Sequence, residues 1–185
     1  MSFHPRKKQP AASAQSAINT AAWHKLLVGQ VNIEKFIRES NAIENDERFQ
    51  CYHVDAVRAF LLGPLDEDAV IRCHSALTAS LNVDWSGRYR DCPVRVGSYI
   101  PPPHQEVVLL MRRFFKRLEK CEPWEAHNEF EMIHPFEDFN GRIGRLIWLH
   151  KMIRLRQAGS LSFLQTYYYQ TLRCYKPKIK FRRAD

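Results

Sequence analysis

The 185-residue sequence has no apolar run long enough to cross a membrane, and it has no internal repeat. Its first residues are followed by polar and small side chains instead of the apolar core of a signal peptide. Its five cysteines lack a C-x-x-C pair, and their odd number and wide spacing do not indicate a disulfide framework. We therefore expect a cytoplasmic protein with reduced cysteines and no membrane partner.

What the composition does contain is typical of a globular protein, with 45% hydrophobic and 26% charged residues. The length suffices for one well-buried core and is too short for two comfortable domains. We predict a flexible basic arm over residues 1–16, one domain over 17–172 and a basic C-terminal tail over 173–185.

The net charge of +8 raises nucleic acid or an acidic surface as a partner. Much of this charge lies at the two ends of the chain, in residues 6–8 and 173–183. Because basic ends are commonly only solvated, nucleic acid is not an expected partner.

Apolar residues recur at helical spacing over most of the chain. We predict an all-α fold with helices over 17–40, 49–62, 66–81, 106–118, 122–134, 142–156 and 161–172. The helical period breaks between Trp85 and Ile100, where residues 87–90 and 94–100 alternate in a way that suits a short β-hairpin.

The most informative stretch is His134 to Arg145, between two helical patterns. Pro135 prevents simple continuation of the first helix, and the second should begin near Asn140 or Gly141. Asn and Gly tolerate positive φ, and a helix N-terminus supplies free N–H groups and a favourable dipole. The stretch therefore predicts a cradle for an anion.

Charged side chains surround this predicted cradle. Arg142 and Arg145, three residues apart on the first turn, can both reach a bound polyphosphate with forked geometry. Asp138 is a natural ligand for Mg²⁺, which prefers carboxylate and phosphate oxygens. His134 titrates near neutral pH and is suited to accept a proton from an incoming hydroxyl.

This stretch resembles the signature of the Fic family, H-x-F-x-[D/E]-G-N-G-R-x-x-R. The matching positions are His134, Phe136, Asp138, Asn140, Gly141, Arg142 and Arg145. The resemblance implies a Fic-type helical domain with a short β-hairpin flap. It also implies transfer of AMP from ATP, with Mg²⁺, to a Ser, Thr or Tyr hydroxyl of a target protein, which could be the protein itself.

The resemblance implies a role for each matching residue. His134 is implied as the general base, Phe136 as a core anchor and Asp138 as the Mg²⁺ ligand. The remaining matches are implied to bind phosphate. Asn140 and Gly141 would line the anion hole. Arg142 and Arg145 would hold the β- and γ-phosphates.

One position departs from the family pattern, because Phe139 stands where the first glycine is usual. Backbone approaches phosphate closely there and can need positive φ. Three alternatives stay open: AMP transfer, transfer from another donor (phosphate, UMP or phosphocholine), and a catalytically weak regulatory or binding module.

A second short motif lies upstream, within a helix expected near residues 33–45. Ser40, Glu44 and Asn45 match the [S/T]-x-x-x-E-[G/N] inhibitory motif of one class of Fic proteins. The resemblance implies that Glu44 pairs with Arg145 and denies it to the γ-phosphate. We therefore expect an autoinhibited enzyme.

The expected hairpin has a counterpart in the family too. In Fic proteins a flap before the signature aligns an extended segment of the target by strand addition. The resemblance implies this docking role for Val94, Arg95, Val96 and Gly97. The sequence leaves homo-oligomer formation open.

Overall fold

The computed structural model describes the backbone of residues 14–156 and the side chains of residues 22–156. The predicted final helix at 161–172 and basic tail at 173–185 lie outside these residues, as does most of the predicted arm at 1–16. The last three residues of that arm begin the first helix.

The all-α prediction is confirmed, since residues 14–156 contain seven α-helices and no named strand. A single 3₁₀ turn at Ala79–Leu81 follows the fourth helix. The helices are α1 (Ala14–Gln30), α2 (Ile33–Ile43), α3 (Cys51–Leu62), α4 (Glu67–Thr78), α5 (His104–Leu118), α6 (Pro123–Ile133) and α7 (Asn140–Arg154). No helix in this part of the chain combines the length and apolarity needed to span a bilayer.

The first predicted helix is in fact two helices. Asn32 interrupts the pattern and caps α2, because its side chain accepts a hydrogen bond from the backbone N–H of Lys35 at 2.9 Å. An N-cap asparagine satisfies one of the free donors of a helix start. The break allows α2 to carry Ser40 and Glu44 towards α7.

Helix α7 lies at the centre of the fold and packs against α1, α2, α3, α4 and α6. Most of its apolar residues are buried, including Ile143, Ile147 and Ile153. Lys151 is buried as well, and its ammonium donates to the carbonyl of Leu118 at the end of α5, 2.5 Å away. A helix buried on nearly all sides holds its N-terminus, and hence the signature loop, in a fixed place.

The predicted β-hairpin is much shorter than expected. A single antiparallel bridge joins Val96 and Tyr99, with N–O distances of 3.0 and 2.9 Å. Residues 87–90 form no strand, because their backbone groups bond elsewhere: Gly87 N–H donates to His74, and Arg90 N–H donates to the carbonyl of Pro135. The segment is a tight turn, not a two-stranded ribbon.

Candidate active site

The signature loop is shaped first by the end of α6. His134 caps this helix in the left-handed conformation, with φ 51° and ψ 62°, and its N–H donates to the carbonyl of Phe130 at 2.9 Å. Pro135 follows and stops further helical bonds. The chain therefore reverses sharply between α6 and α7.

Asn140 closes the loop from the other side. Its Oδ1 accepts from the N–H of Phe136 at 2.8 Å, and its Nδ2 donates to the carbonyl of the same residue at 2.9 Å. Both side chains are buried. The amide of Asn140 thus fixes the loop, and the predicted anion hole would receive from Asn140 only its backbone N–H in the first turn of α7.

Two residues that sequence reasoning did not assign to the site also hold the loop. His74 stacks on Phe136 with ring centroids 3.8 Å apart, and its Nε2 lies 3.3 Å from the carbonyl of Asp138. Buried Arg90 donates to the carbonyl of His134 at 2.7 Å and to that of Pro102 at 2.6 Å. His74 and Arg90 contact backbone carbonyls that lie 64 and 44 positions further along the chain. No local sequence motif could therefore predict these contacts.

His74 is neutral in this position. Its Nδ1 accepts from the N–H of Gly87 at 3.0 Å, so the proton belongs on Nε2. Burial lowers its pKa to about 4. An uncharged His74 can therefore pack face to face on Phe136 without a counter-ion.

The imidazole of His134 is largely buried, with 15% of the side chain exposed. Its Nδ1 lies 3.4 Å from the carbonyl of Glu131, an arrangement that puts the proton on Nδ1 and the lone pair on Nε2. Burial is the main cause that lowers its pKa below the usual value for histidine. His134 is thus in the neutral form that a general base requires.

Asp138 is the exposed acid of the loop, with 56% of its side chain accessible. Its Oδ1 accepts from the N–H of Phe139 at 2.6 Å and lies 3.4 Å from Nη2 of Arg142. A hard, accessible carboxylate beside a helix N-terminus fits the ligand set of Mg²⁺ when phosphate oxygens complete it.

Phe139 takes the backbone conformation for which glycine is preferred. It has φ 64° and ψ 8° at the N-cap of α7, and its side chain is buried. A left-handed residue with a Cβ costs about 1–2 kcal/mol. The phenyl ring compensates by packing under Arg142, whose Cζ lies 3.3 Å from the ring centroid. The substitution therefore keeps the turn that places the first N–H groups of α7.

Arg145 is buried and held by α2. Its Nε donates to Oγ of Ser40 at 2.7 Å, and its Nη2 donates to the carbonyl of Ser40 at 2.9 Å and to Oε1 of Glu44 at 2.7 Å. A Cβ on Gly141 would collide with the Glu44 carboxylate, so glycine allows this approach. The expected pair between Glu44 and Arg145 is therefore present.

Arg142 has a partner that sequence reasoning missed. Its Nη1 donates to Oδ2 of Asp46 at 2.6 Å, and the two side chains are 8% and 10% exposed. Asn45, which was predicted to share in the inhibitory motif, instead lies exposed in the turn that ends α2, with φ 53°. The motif thus brings Ser40 and Glu44 to Arg145. Asp46, which lies just after the motif, is the acid that pairs with Arg142.

The predicted docking segment lies beside the loop. The hydroxyl of Tyr99 donates to the carbonyl of Met132 on α6 at 2.7 Å. Nε of Arg95 donates to the carbonyl of Gly97 at 2.8 Å, and Val96 is 41% exposed. Docking by residues 94–97 stays a prediction.

The fold and the loop together place a neutral histidine at the end of α6 and two arginines at the start of α7. Residues 64–150 match the sequence model of the Fic/DOC family. This region, which includes the whole signature loop, belongs to the Fic/DOC family.

Relatives of known description match part of the chain. Proteins called protein adenylyltransferase Fic from Drosophila melanogaster, Drosophila simulans and Drosophila sechellia are 32% identical over 87 residues. The alignment covers 42% of this chain and 18% of each relative, so it spans less than a fifth of their length.

Solved structures share the fold. A Fic domain containing signaling protein from Bacteroides thetaiotaomicron has a TM-score of 0.58 at 18% identity, over 89% of this chain and 76% of that chain. A Fic family protein from Desulfovibrio desulfuricans has a TM-score of 0.50 at 23% identity, over 89% of this chain and 70% of that chain.

Proposed function

We propose that this protein is an adenylyltransferase that moves AMP from ATP to a Ser, Thr or Tyr hydroxyl of a protein. The observation that carries the proposal is the signature loop, which sets a neutral His134, an exposed Asp138 and the N-terminus of α7 beside two arginines. The similarity to relatives described as protein adenylyltransferases supports the choice of AMP.

The residues present fit a magnesium nucleotide. The first N–H groups of α7 precede its hydrogen-bonded turns and carry the positive end of the helix dipole, which suits phosphate. Arg142 and Arg145 can neutralise further phosphate charge, and Asp138 would hold Mg²⁺. The metal would neutralise charge on the phosphate oxygens and the leaving pyrophosphate.

The proposed chemistry is an in-line displacement. Nε2 of His134 accepts the proton of the target hydroxyl as the hydroxyl oxygen attacks the α-phosphorus. The bond from that phosphorus to the bridging oxygen breaks, and pyrophosphate leaves. Since such chemistry asks a protein mainly for positioning and charge neutralisation, the main tasks of the loop are to align the donor and to stabilise developing charge.

Autoinhibition by Glu44 is part of the proposal. Its carboxylate accepts a hydrogen bond from Nη2 of Arg145. We propose that a γ-phosphate would use the same donor. Glu44 and the phosphate carry the same sign of charge, so both cannot share the guanidinium at low cost. With Glu44 in place, ATP would bind in a pose that does not favour attack.

The test is incubation of purified protein with Mg²⁺ and α-labelled ATP, alone and with cell extract as the source of targets. We expect weak labelling of protein by the wild type, strong labelling by Glu44→Gly and none by His134→Ala. Glu47→Gly is the matched control, because it removes a neighbouring exposed acid, whereas the ion pairs of the two arginines are with Asp46, Asp138 and Glu44. Equal labelling by wild type and His134→Ala would refute the assigned base.

A parallel reaction with γ-labelled ATP and α-labelled UTP tests two of the three other donors left open by Phe139, those of phosphate and of UMP. Label from the γ-position would mean phosphate transfer, and label from UTP would mean UMP transfer. The left-handed backbone of Phe139 supports a polyphosphate donor in general, since the turn forms without the missing glycine. His134→Ala should retain ATP binding and lose about 10²–10⁴-fold in rate.

A further inference from the structure

Three side chains surround the guanidinium of Arg142. Oδ2 of Asp46 accepts a hydrogen bond from Nη1 at 2.6 Å, and Oδ1 of Asp138 lies 3.4 Å from Nη2. The ring of Phe139 covers one face of the guanidinium. Nε of Arg142 is buried and has no hydrogen-bond partner among the described residues. Arg142 therefore forms its short hydrogen bond with Asp46, while its Nε–H donor has no acceptor among the described residues.

Asp46 is built to stay in this position. Arg48 donates to both of its carboxylate oxygens, at 2.8 and 2.9 Å, and its backbone N–H donates to Oδ1 at 3.0 Å. The side chain of Asn41 fixes the same turn by donating to the carbonyl of Arg48 at 2.6 Å. These hydrogen bonds from Arg48 hold the pKa of Asp46 well below its usual range, so the residue is ionised at neutral pH.

We infer that Asp46 is a second inhibitory residue of the anion site, which competes with the donor's phosphates for Arg142 as Glu44 is proposed to compete for Arg145. The inference rests on the proposed function only for the location of the polyphosphate. One turn, residues 44–46, would thus occupy both arginines of the cradle.

The competition follows from charge and geometry. A phosphate oxygen that binds Nη1 of Arg142 must replace a carboxylate oxygen at a hydrogen-bond distance, because two anions on one donor repel each other. A polyphosphate offers several oxygens and could also satisfy the unused Nε, so the exchange becomes favourable once the carboxylate is weakened. Removal of Glu44 alone takes the competing carboxylate from Arg145, which stays bonded to Ser40, and leaves Arg142 paired with Asp46.

Binding of inorganic tripolyphosphate tests the inference without any transfer reaction. Calorimetric titration would compare wild type, Glu44→Gln, Asp46→Asn and the double variant. A charged hydrogen bond corresponds to a factor on the order of tenfold in affinity, so Asp46→Asn should bind roughly tenfold more tightly than wild type. The double variant should bind more tightly than either single variant.

Glu47→Gln is the matched control, since it removes the same charge one position further along without touching Arg142, and it should bind as wild type does. Asp46→Ser provides a second loss of charge with a smaller side chain, and thermal unfolding reports whether each variant is folded. Tighter binding in Glu47→Gln as well would reveal a general charge effect and overturn the inference. Unchanged or weaker binding in both Asp46 variants, or no binding by any variant, would overturn it too.

The two proposals fail separately in this design. If Asp46→Asn tightens tripolyphosphate binding and no variant labels protein with AMP, the competition stands and the proposed transfer is wrong. If AMP is transferred and Asp46→Asn has no effect on binding, the transfer stands and the role of Asp46 is wrong.

Discussion

Oε1 of Glu44 lies 2.7 Å from Nη2 of Arg145, although the two residues are 101 positions apart in the chain. The pair is asymmetric, because the side chain of Arg145 is 1% exposed and that of Glu44 is 35% exposed. Ser40 holds Arg145 through two further hydrogen bonds. Glu44 can therefore leave for solvent while the buried guanidinium keeps its two hydrogen bonds to Ser40.

This asymmetry predicts different stability costs for the two partners of Arg145. Glu44→Gln should lower the free energy of unfolding by less than about 1 kcal/mol, since a partly exposed ion pair is screened by solvent. Ser40→Ala should cost about 1–3 kcal/mol, because it removes a buried acceptor from Nε. Urea denaturation measures both. A larger loss in Glu44→Gln than in Ser40→Ala would mean that Glu44 is mainly structural.

The unusual Phe139 gives a second prediction. Phe139→Gly should relieve about 1–2 kcal/mol of left-handed strain and lose about 3–5 kcal/mol of buried aromatic packing, so a net loss of stability is expected. Phe139→Leu keeps the strain and loses the contact with Arg142, and should also be destabilised. Chemical denaturation of both variants provides the check. A glycine variant more stable than wild type would show that the ring contributes little.

Much of the site was predictable because its residues lie next to one another in sequence. Pro135 and the Asn140–Gly141 pair carry local conformational rules, so the helix end, the turn and the new helix start followed from these rules. Asp46 and Arg90 were not predictable in the same way. Each reaches the loop only through the tertiary fold, and an isolated acid or arginine carries no spacing that signals such a contact.

The fold shows the same division. The predicted helix at 49–62 corresponds closely to α3, whose end at Gly63 and Pro64 has clear local signals. The break between α1 and α2 was missed, because Asn32 as a cap looks like any polar residue in a helical pattern. The hairpin was overestimated, since the backbone of residues 87–90 bonds to His74 and Pro135, which the local alternation cannot reveal.

Buried histidines predict how stability depends on pH. Burial lowers the pKa of His127 to about 3 and that of His150 to about 4, below the value of about 6.5 expected in the unfolded chain. The unfolded state then binds more protons, so the free energy of unfolding should fall as the pH drops from about 6.5 towards 4. Glu131 acts in the opposite direction, because burial raises its pKa to about 7.

The variant His150→Gln isolates one such contribution. It should be less stable than wild type at pH 7, and its stability should fall less steeply between pH 6 and pH 4.5 by up to about 1.4 kcal/mol per pH unit. Urea denaturation across this pH range provides the measurement. An identical slope in both proteins would mean that His150 is not neutral in the fold.

Asp138 gives a prediction for the metal. Its side chain is more than half exposed, so Asp138→Asn should change the free energy of unfolding by less than about 0.5 kcal/mol. Nucleotide affinity should nevertheless lose its dependence on Mg²⁺, because the carboxylate would be the protein's ligand to that ion. Asp84→Asn, at an exposed acid outside the loop, is the control. Retained Mg²⁺ dependence in Asp138→Asn would place the metal elsewhere.

The central claim, AMP transfer by the loop that contains His134, is tested most directly by intact-mass spectrometry of reaction mixtures. The Glu44→Gly variant is incubated with Mg²⁺·ATP and cell extract, next to a variant that also carries His134→Ala. If His134 is the base, a protein in the first mixture gains the mass of one AMP group, and no protein in the second mixture does. A gain of a single phosphoryl group, or an AMP adduct that persists without His134, would contradict it.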